Sequence, residues 1–356
     1  MGTVFLVVGH EGRDHAIARK LAQSPRVELV YVATGNRAMP FDSKLFRLPD
    51  WSHEGTADFV AENNIACTIV GDTSDMQSGF VDVFLERGLP ILGATQAAAM
   101  LEGSKSFAKD FMLRHRVPTA RHRMCDNPAD IDDFLSGCSY PVVLKADLRV
   151  SSQNSAKIIH DPAEAARACK EIFDAQNDKF DDEPAQVLLE EFISGKETSY
   201  TILMDGEHWT PLVAVRDYKR LYDGDAGCNT GGMGSYAPVP WLTRDINDRI
   251  ATKVIEPTLR GMREEGLSYR GFLYFGIMVD ARGEPWVLEY NTRLGDTEAE
   301  TILTLWDDDL AQVALQATTG SIASLTLNWR KGWAVSIAIA PHGYPGGTID
   351  KARIML

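Results

Sequence analysis

Short apolar runs at residues 4–8, 29–33, 68–70 and 90–92 alternate with amphipathic stretches such as 14–22 and 79–87. Brief apolar runs separated by segments long enough for a helical crossover predict a parallel sheet covered by helices. The chain up to about Gly93 therefore reads as a Rossmann-like half-fold. Beyond it, 141–146, 157–160 and 186–190 read as strands and 162–176 as a helix, with a polar loop over 147–156 and an acidic, turn-rich loop over 177–184. Strands at 198–204, 271–280 and 285–290 belong to a larger α+β section. The expected division is a domain over 1–103, a second over 104–324 containing a small subdomain at about 119–190, and a short C-terminal segment over 325–356. No internal repeat or low-complexity tract interrupts this pattern.

Composition narrows the function classes. With 356 residues, 44% of them hydrophobic, the chain can build more than one core. A formal net charge of -14 argues against a general nucleic-acid surface, so an anionic ligand would need a local basic pocket. The absence of a long apolar run or a signal-like N-terminus makes the expectation a cytoplasmic protein with no membrane partner. Cys67, Cys125, Cys138, Cys169 and Cys228 lack metal or disulfide spacing and read as small buried hydrophobes.

The first run leads into Gly9-His10-Glu11-Gly12-Arg13-Asp14-His15, a turn that opens onto a helix N-terminus. As a dinucleotide fingerprint it is incomplete: His15 holds the third glycine position, and Val32-Ala33-Thr34-Gly35 lacks the acidic residue. A plain strand-to-helix turn explains it as well as a ligand site does. An NAD-dependent oxidoreductase is correspondingly the weakest of the candidate functions.

More chemistry is concentrated in Glu289-Tyr290-Asn291-Thr292-Arg293-Leu294-Gly295-Asp296. Alternation along a strand sets Glu289 and Asn291 on one side, where a carboxylate and an amide oxygen can share a hard cation, and Arg293 continues that side as an anion-binding fork. A second cluster joins Asp217, Lys219 and Arg220 to Asn229-Thr230-Gly231-Gly232-Met233-Gly234. Its glycines would let backbone N–H groups reach a ligand, and its cations would meet phosphate; a surface loop is the plainer alternative. Lys105, Lys145, Glu190, Glu191 and Glu197 are informative only in combination, since each alone reads as a solvated charge.

Together these segments, with Leu92-Gly93-Ala94-Thr95, Leu101-Glu102-Gly103-Ser104-Lys105, Phe107-Ala108-Lys109-Asp110-Phe111-Met112, Val143-Leu144-Lys145 and Glu190-Glu191-Phe192, resemble the phosphoribosylamine-glycine ligase (glycinamide ribonucleotide synthetase) family of the ATP-grasp superfamily. The resemblance covers nearly the whole chain. It implies an ATP-grasp fold behind a Rossmann-like N-terminal domain, mixing α/β and α+β units, and a carboxylate-amine ligase working through an acyl phosphate. ATP would lie with Lys105 and Lys145 on its phosphates, Glu190, Glu191 and the Phe192-Ile193 backbone at the adenine, and Glu197 on the ribose. Mg2+ or Mn2+ would sit on Glu289 and Asn291. Arg293 and Lys145 are the expected catalytic groups. Asp217, Lys219, Asn229, Thr230, Gly231, Arg293, Gly295 and Asp296 are the expected substrate contacts. The partners are small amino-acid and amine substrates, and the protein is expected to be a monomer or homodimer.

Three departures stand out from the family pattern. The loop after Lys145, 147–157, contains no glycine; His10, Glu11 and Asp72 stand in an otherwise glycine-rich turn and a Gly-Pro-Glu segment; and the chain stops before the family's C-terminal domain would be complete. They leave room for a paralogue joining another amino acid to another amine, and for a nucleotide-binding pseudoenzyme.

Overall fold

The structure, a computed structural model, describes residues 2–33, 43–49, 51–146, 156–177 and 186–346. Most of the glycine-free loop lies outside these, as does the end of the C-terminal segment.

The N-terminal unit contains Thr3–Val8 (β1), Gly12–Ala22 (α1), Val27–Ala33 (β2), Leu45–Arg47 (β3), His53–Glu62 (α2), Cys67–Val70 (β4), Thr73–Gln77 (α3), Phe80–Glu86 (α4) and Ile91–Ala94 (β5). Its strands are parallel in the order β5-β4-β1-β2-β3, and those of β4 and β5 are buried throughout, as central strands must be. Each predicted apolar run is a strand here, its ends moved by one or two residues. Helices Gln96–Gly103 (α5) and Lys105–Arg114 (α6) come after β5, each capped by a hydroxyl, Thr95 and Ser104 respectively.

A separate antiparallel sheet forms from His122–Cys125 (β6), Val142–Ala146 (β7), Lys157–Ile159 (β8) and Val187–Glu191 (β9), in the order β6-β9-β7-β8, with Pro128–Ser136 (α7) and Pro162–Asn177 (α8). It has its own small core around Val142, Leu144, Val187 and Leu189. This four-stranded sheet, here termed the lid, runs from His122 to Glu191, over the stretch where the small subdomain is expected.

The chain then returns to the large sheet through Lys196–Met204 (β10) and Trp209–Pro211 (β11). Arg216–Asp217 (β12), the hairpin Arg220–Tyr222 (β13) with Ala226–Asn229 (β14), and Gly234–Ala237 (β15) come next, then helices Arg244–Ile250 (α9) and Glu256–Glu264 (α10). Tyr269–Val279 (β16) and Pro285–Asn291 (β17) pair antiparallel, and Asp296–Leu305 (α11), Leu310–Thr318 (α12) and Ala334–Ile337 (β18) complete the described chain. β16 pairs with β10, β17 and, through Tyr269 with Ala94 and Arg270 with Gly93, with β5. The two predicted domains thus share one nine-stranded sheet. Two large apolar cores cover its faces, and one is closed by fully buried Trp306 beneath α11 and α12. Among the described residues no helix is long and apolar enough to cross a membrane.

Of the cysteines, Cys67, Cys125 and Cys169 are buried as expected, but Cys138 is half-buried and Cys228 is exposed on β14. Among the described residues no second layer covers Cys228 on this two-stranded hairpin.

Candidate active site

The lid sheet and the large sheet face each other across a cavity of ≈ 320 Å3. Lys145 of β7, Glu190 and Glu191 of β9, Phe192, Ile193, Glu197 of β10, Asp217 of β12, Lys219, Asn229 and Glu289 of β17 all line it. Most of the residues singled out along the sequence therefore meet in one place, although they come from six separate strands and their connections.

At the back of the cavity Glu190 is buried and held by two lysines. Lys145 Nζ lies 2.6 Å from its Oε2, and Lys109 Nζ contacts Oε1. Burial opposes ionisation of Glu190, but Lys145 and Lys109 outweigh it and hold the carboxyl down to about 2. Burial pulls Lys109 down to about 8 against the attraction of Glu190.

At the front, Lys219 Nζ bridges Glu197 (3.1 Å) and Glu289 (3.2 Å). Lys219 beside Glu289 holds that carboxyl down to about 2, so it stays anionic at neutral pH. A bulge at Leu288, where Gly276 pairs with Glu289 and Ile277 with Val287, re-aims the strand end. Beyond it Tyr290 and Thr292 are buried while Glu289, Asn291 and Arg293 are half-buried, so the expected alternation is present. Among the described residues no cluster of three or more His, Cys, Asp or Glu could hold a metal. The expected pair, the ionised Glu289 carboxylate and the Asn291 amide oxygen, is of a kind that suits a hard cation completed by phosphates and water, but only Glu289 lines the cavity and Asn291 Oδ1 accepts from Arg293 at 3.3 Å.

Asp217 is buried beside Lys219; burial and then Glu298 push its carboxyl up to about 7. Thr297 Oγ1 donates to it at 3.2 Å. The glycine-rich segment behaves differently from its expectation. Thr230 N donates to Lys219 O at 2.7 Å, Gly231 N to Tyr344 Oη at 3.2 Å and Gly232 N to Thr230 Oγ1 at 3.1 Å. These N–H groups are therefore occupied, because the segment folds back on the Lys219 turn. Gly232 has φ +122, and a Cβ there would lie 3.1 Å from Asp217 Oδ1, so its glycine serves close packing against that carboxylate. Arg220 also lines the cavity, and one of its guanidinium nitrogens donates to Gly227 O across its hairpin at 2.8 Å.

Lys105, Asn291, Thr230, Gly231, Arg293, Gly295 and Asp296 stand outside the cavity lining. Lys105 begins α6, and its charge is felt by Glu289. Arg293 is clamped: its Nη2 lies 2.8 Å from Glu102 Oε1 and donates to Asn291 Oδ1 at 3.3 Å, while its buried Nε has no hydrogen-bond partner among the described residues. Glu102 Oε2 also accepts from Thr292 N (2.8 Å) and Thr292 Oγ1 (3.1 Å). Gly295 caps α11 by leaving room for Glu298, whose Oε2 would lie 2.2 Å from a Cβ.

Asp296 faces the N-terminal unit, where Arg13 N donates to its Oδ1 at 2.9 Å. Here the strand order reverses about β1 and β4, the place where open α/β sheets bind ligands. Both helix N-termini at this crevice are already served by carboxylates: Asp14 accepts from Glu11 N, Asp296 from Arg13 N, and Asp72 from Ser74 N. The Arg13 guanidinium donates through Nε to Gly71 O at 3.0 Å and lies 3.8 Å from Asp296, and His10 pairs with Asp72 at 2.9 Å. Burial pushes Asp14 up to about 7 and Glu300 up to about 8.

Sequence reasoning assigns no role to Lys109, Glu102, Glu298 or Asp14. Lys109 carries a usable signal, since it lies four residues after Lys105 and so shares its helix face; the contacts of Glu102 and Glu298 depend on tertiary packing alone.

The chain matches two family descriptions end to end: residues 3–102 the phosphoribosylglycinamide synthetase N domain, and 103–299 its ATP-grasp (A) domain. It is 39% identical over 340 residues to the phosphoribosylamine–glycine ligase of Ralstonia nicotianae, covering 96% of this chain and 80% of that one. With the enzyme of the same name from Allochromatium vinosum it is 41% identical over 343 residues, 96% of this chain and 79% of that one. The crystal structure of phosphoribosylamine–glycine ligase from Thermotoga maritima superposes with a TM-score of 0.82 at 31% identity, over 97% of this chain and 82% of that one. The biotin carboxylase domain of Hydrogenobacter thermophilus 2-oxoglutarate carboxylase, solved with MgADP, shares the fold at a TM-score of 0.70 and 16% identity, over 94% of this chain and 74% of that one. The chain belongs to the phosphoribosylglycinamide synthetase family and is an ADP-forming, ATP-grasp carbon–nitrogen ligase that uses ATP and Mg2+.

Proposed function

We propose that the carboxylate substrate is glycine and the amine is phosphoribosylamine, as the names of the relatives indicate. The observation that carries this reading is the cavity between lid and sheet, with Lys145, Lys219 and Glu289 converging on it. In this reading a glycine carboxylate oxygen attacks the γ-phosphorus of ATP and ADP leaves. The amine nitrogen then attacks the acyl carbon, phosphate leaves, and the amine loses a proton.

Lys105 and Lys145 hold the phosphates, and Glu190, Glu191, Phe192 and Ile193 bound the adenine side, with Glu197 toward the ribose. Arg293 orients the attacking carboxylate, its guanidinium fixed by Glu102. Asp217, Lys219, Asn229, Thr230, Gly231, Gly295 and Asp296 border the two substrates. Glu289 and Asn291 would hold Mg2+, which when bound neutralises charge on the transferring phosphoryl group. The protein's share is otherwise positioning and electrostatics. The first domain ends near residue 103, and the enzyme works in the cytoplasm, without nucleic-acid or membrane partners, as a monomer or homodimer.

A specific observation favours a second reading, a paralogue acting on a different amine. The crevice at β1 and β4 fills its helix N-termini with its own carboxylates, so a phosphate there would meet Asp14, Asp72 and Asp296 instead of free donors. ADP release measured with a panel of amino acids, glycine included, and a panel of amines, phosphoribosylamine included, separates the two. Turnover with phosphoribosylamine at least ten times better than with every unphosphorylated amine supports the first, and the reverse order supports the second. No turnover with any pair refutes both.

A further inference from the structure

Lys109, Glu190 and Lys145 form a buried charge triad, exposed by only 2%, 3% and 9%. The two lysines come from different bodies, Lys109 from α6 beneath the large sheet and Lys145 from β7 of the lid. Each also reaches β17. Lys145 Nζ donates to Leu288 O at 3.3 Å. Lys109 Nζ donates to Thr119 Oγ1 at 2.6 Å, and Thr119 Oγ1 in turn donates to Val287 O at 2.8 Å. Glu190 is thus the joint between lid and catalytic strand, and it has two cations where one would balance its charge.

Lys145 lines the cavity but is paired to Glu190 at its back wall. To serve a nucleotide phosphate its ammonium must leave that carboxylate, and a buried carboxylate stripped of its only counter-ion is strongly disfavoured. Lys109 removes the obstacle, since it keeps Glu190 neutralised from the opposite side. Three charges, two positive and one negative, leave one net positive charge for the cavity. Resting on the reading that Lys145 contacts phosphates, we infer that Lys109 is a positioning residue: it retains Glu190 so that Lys145 is free to transfer to the nucleotide.

The test is equilibrium binding, by calorimetry, of a non-hydrolysable ATP analogue with Mg2+ to the full chain and its variants. Lys109→Met should weaken binding by about ten-fold, the worth of one charge-assisted contact. Lys109→Arg, which keeps the charge, should stay within about three-fold of the parent. The discriminating variant is Lys109→Met with Glu190→Gln: once Glu190 is neutral Lys109 has nothing to retain, so the double variant should bind as Glu190→Gln alone. It buries no unpaired carboxylate, so it remains informative if Lys109→Met fails to fold. Multiplicative loss in the double variant would show a merely structural lysine and overturn the inference, as would parental binding by Lys109→Met. Lys145→Met reports separately on the underlying reading: unchanged affinity there would remove Lys145 from the phosphates, whatever Lys109 does.

Discussion

Glu102→Ala should cripple the strand end that carries Arg293 while leaving the nucleotide cavity intact. The Glu102 carboxylate, mostly buried on α5, accepts from Thr292 N at 2.8 Å and Thr292 Oγ1 at 3.1 Å and pairs with Arg293 at 2.8 Å. Hydrogen bonds to a charged acceptor contribute about 1.5–3 kcal/mol each, and stranding a buried charge costs about 3–5 kcal/mol. These overlap, because they share one carboxylate, so the whole loss is about 3–5 kcal/mol. For a cooperative chain of this length that lowers the unfolding midpoint by about 4–7 °C. A guanidinium displaced by about 1 Å lowers kcat/KM for the amino acid by about a hundred-fold. Glu102→Gln can still accept from Thr292, loses only the ion pair, and should forfeit about ten-fold. ADP release with the amino acid varied, then with ATP varied, reads both variants beside a thermal melt. Activity of Glu102→Ala within two-fold of the parent would refute the clamp, as would a Gln variant as damaged as the Ala variant.

The titrating carboxyls give predictions of opposite sign. Burial raises Asp14 to about 7, so the folded state binds a proton that the unfolded chain has released. Stability falls as pH rises from about 4 to 7 for this group, and Asp14→Asn should flatten that slope in melts taken at pH 5, 6, 7 and 8. Glu190 is held down to about 2 despite its burial, so its stabilisation is complete above about 4.3 and is lost as pH falls through 2. Urea midpoints of the parent and Glu190→Gln should therefore converge across that acid window and differ above it. Glu289→Gln removes the charged oxygen of the proposed Mg2+ site, and should raise the Mg2+ concentration for half-maximal ADP release about ten-fold or more. Chelation of Mg2+ should abolish ADP release in the parent, restored on adding the ion back.

Strands β4 and β5 were legible because they are buried throughout, and β1 and β2 because their apolar runs are bounded by turn residues, whereas the three-residue edge strand β3, exposed at Phe46 and Arg47, leaves no such run. The strand end after Glu289 was legible too: its alternation survives because the bulge at Leu288 precedes the functional residues. The glycine-rich segment misled, since composition shows where a backbone can approach a ligand but not whether its own turn has taken the N–H groups. Lys109 was hidden because a lysine on an amphipathic helix reads as solvated, and only the lid's return through β9 brings Glu190 over it. The shared sheet was invisible for the same reason. The two pairs that join β5 to β16 lie some 175 residues apart along the chain, with no local pattern to announce them.

That junction has a consequence for how such an enzyme can change what it accepts. Because β5 and β16 are hydrogen-bonded edge to edge, the crevice at β1 and β4 and the strand bearing Glu289 belong to one plate. Replacing the first unit wholesale would cut a sheet through its interior and leave two raw edges. A change of acceptor that keeps this plate whole is therefore confined to side chains at its rim, where His10, Glu11 and Asp72 stand.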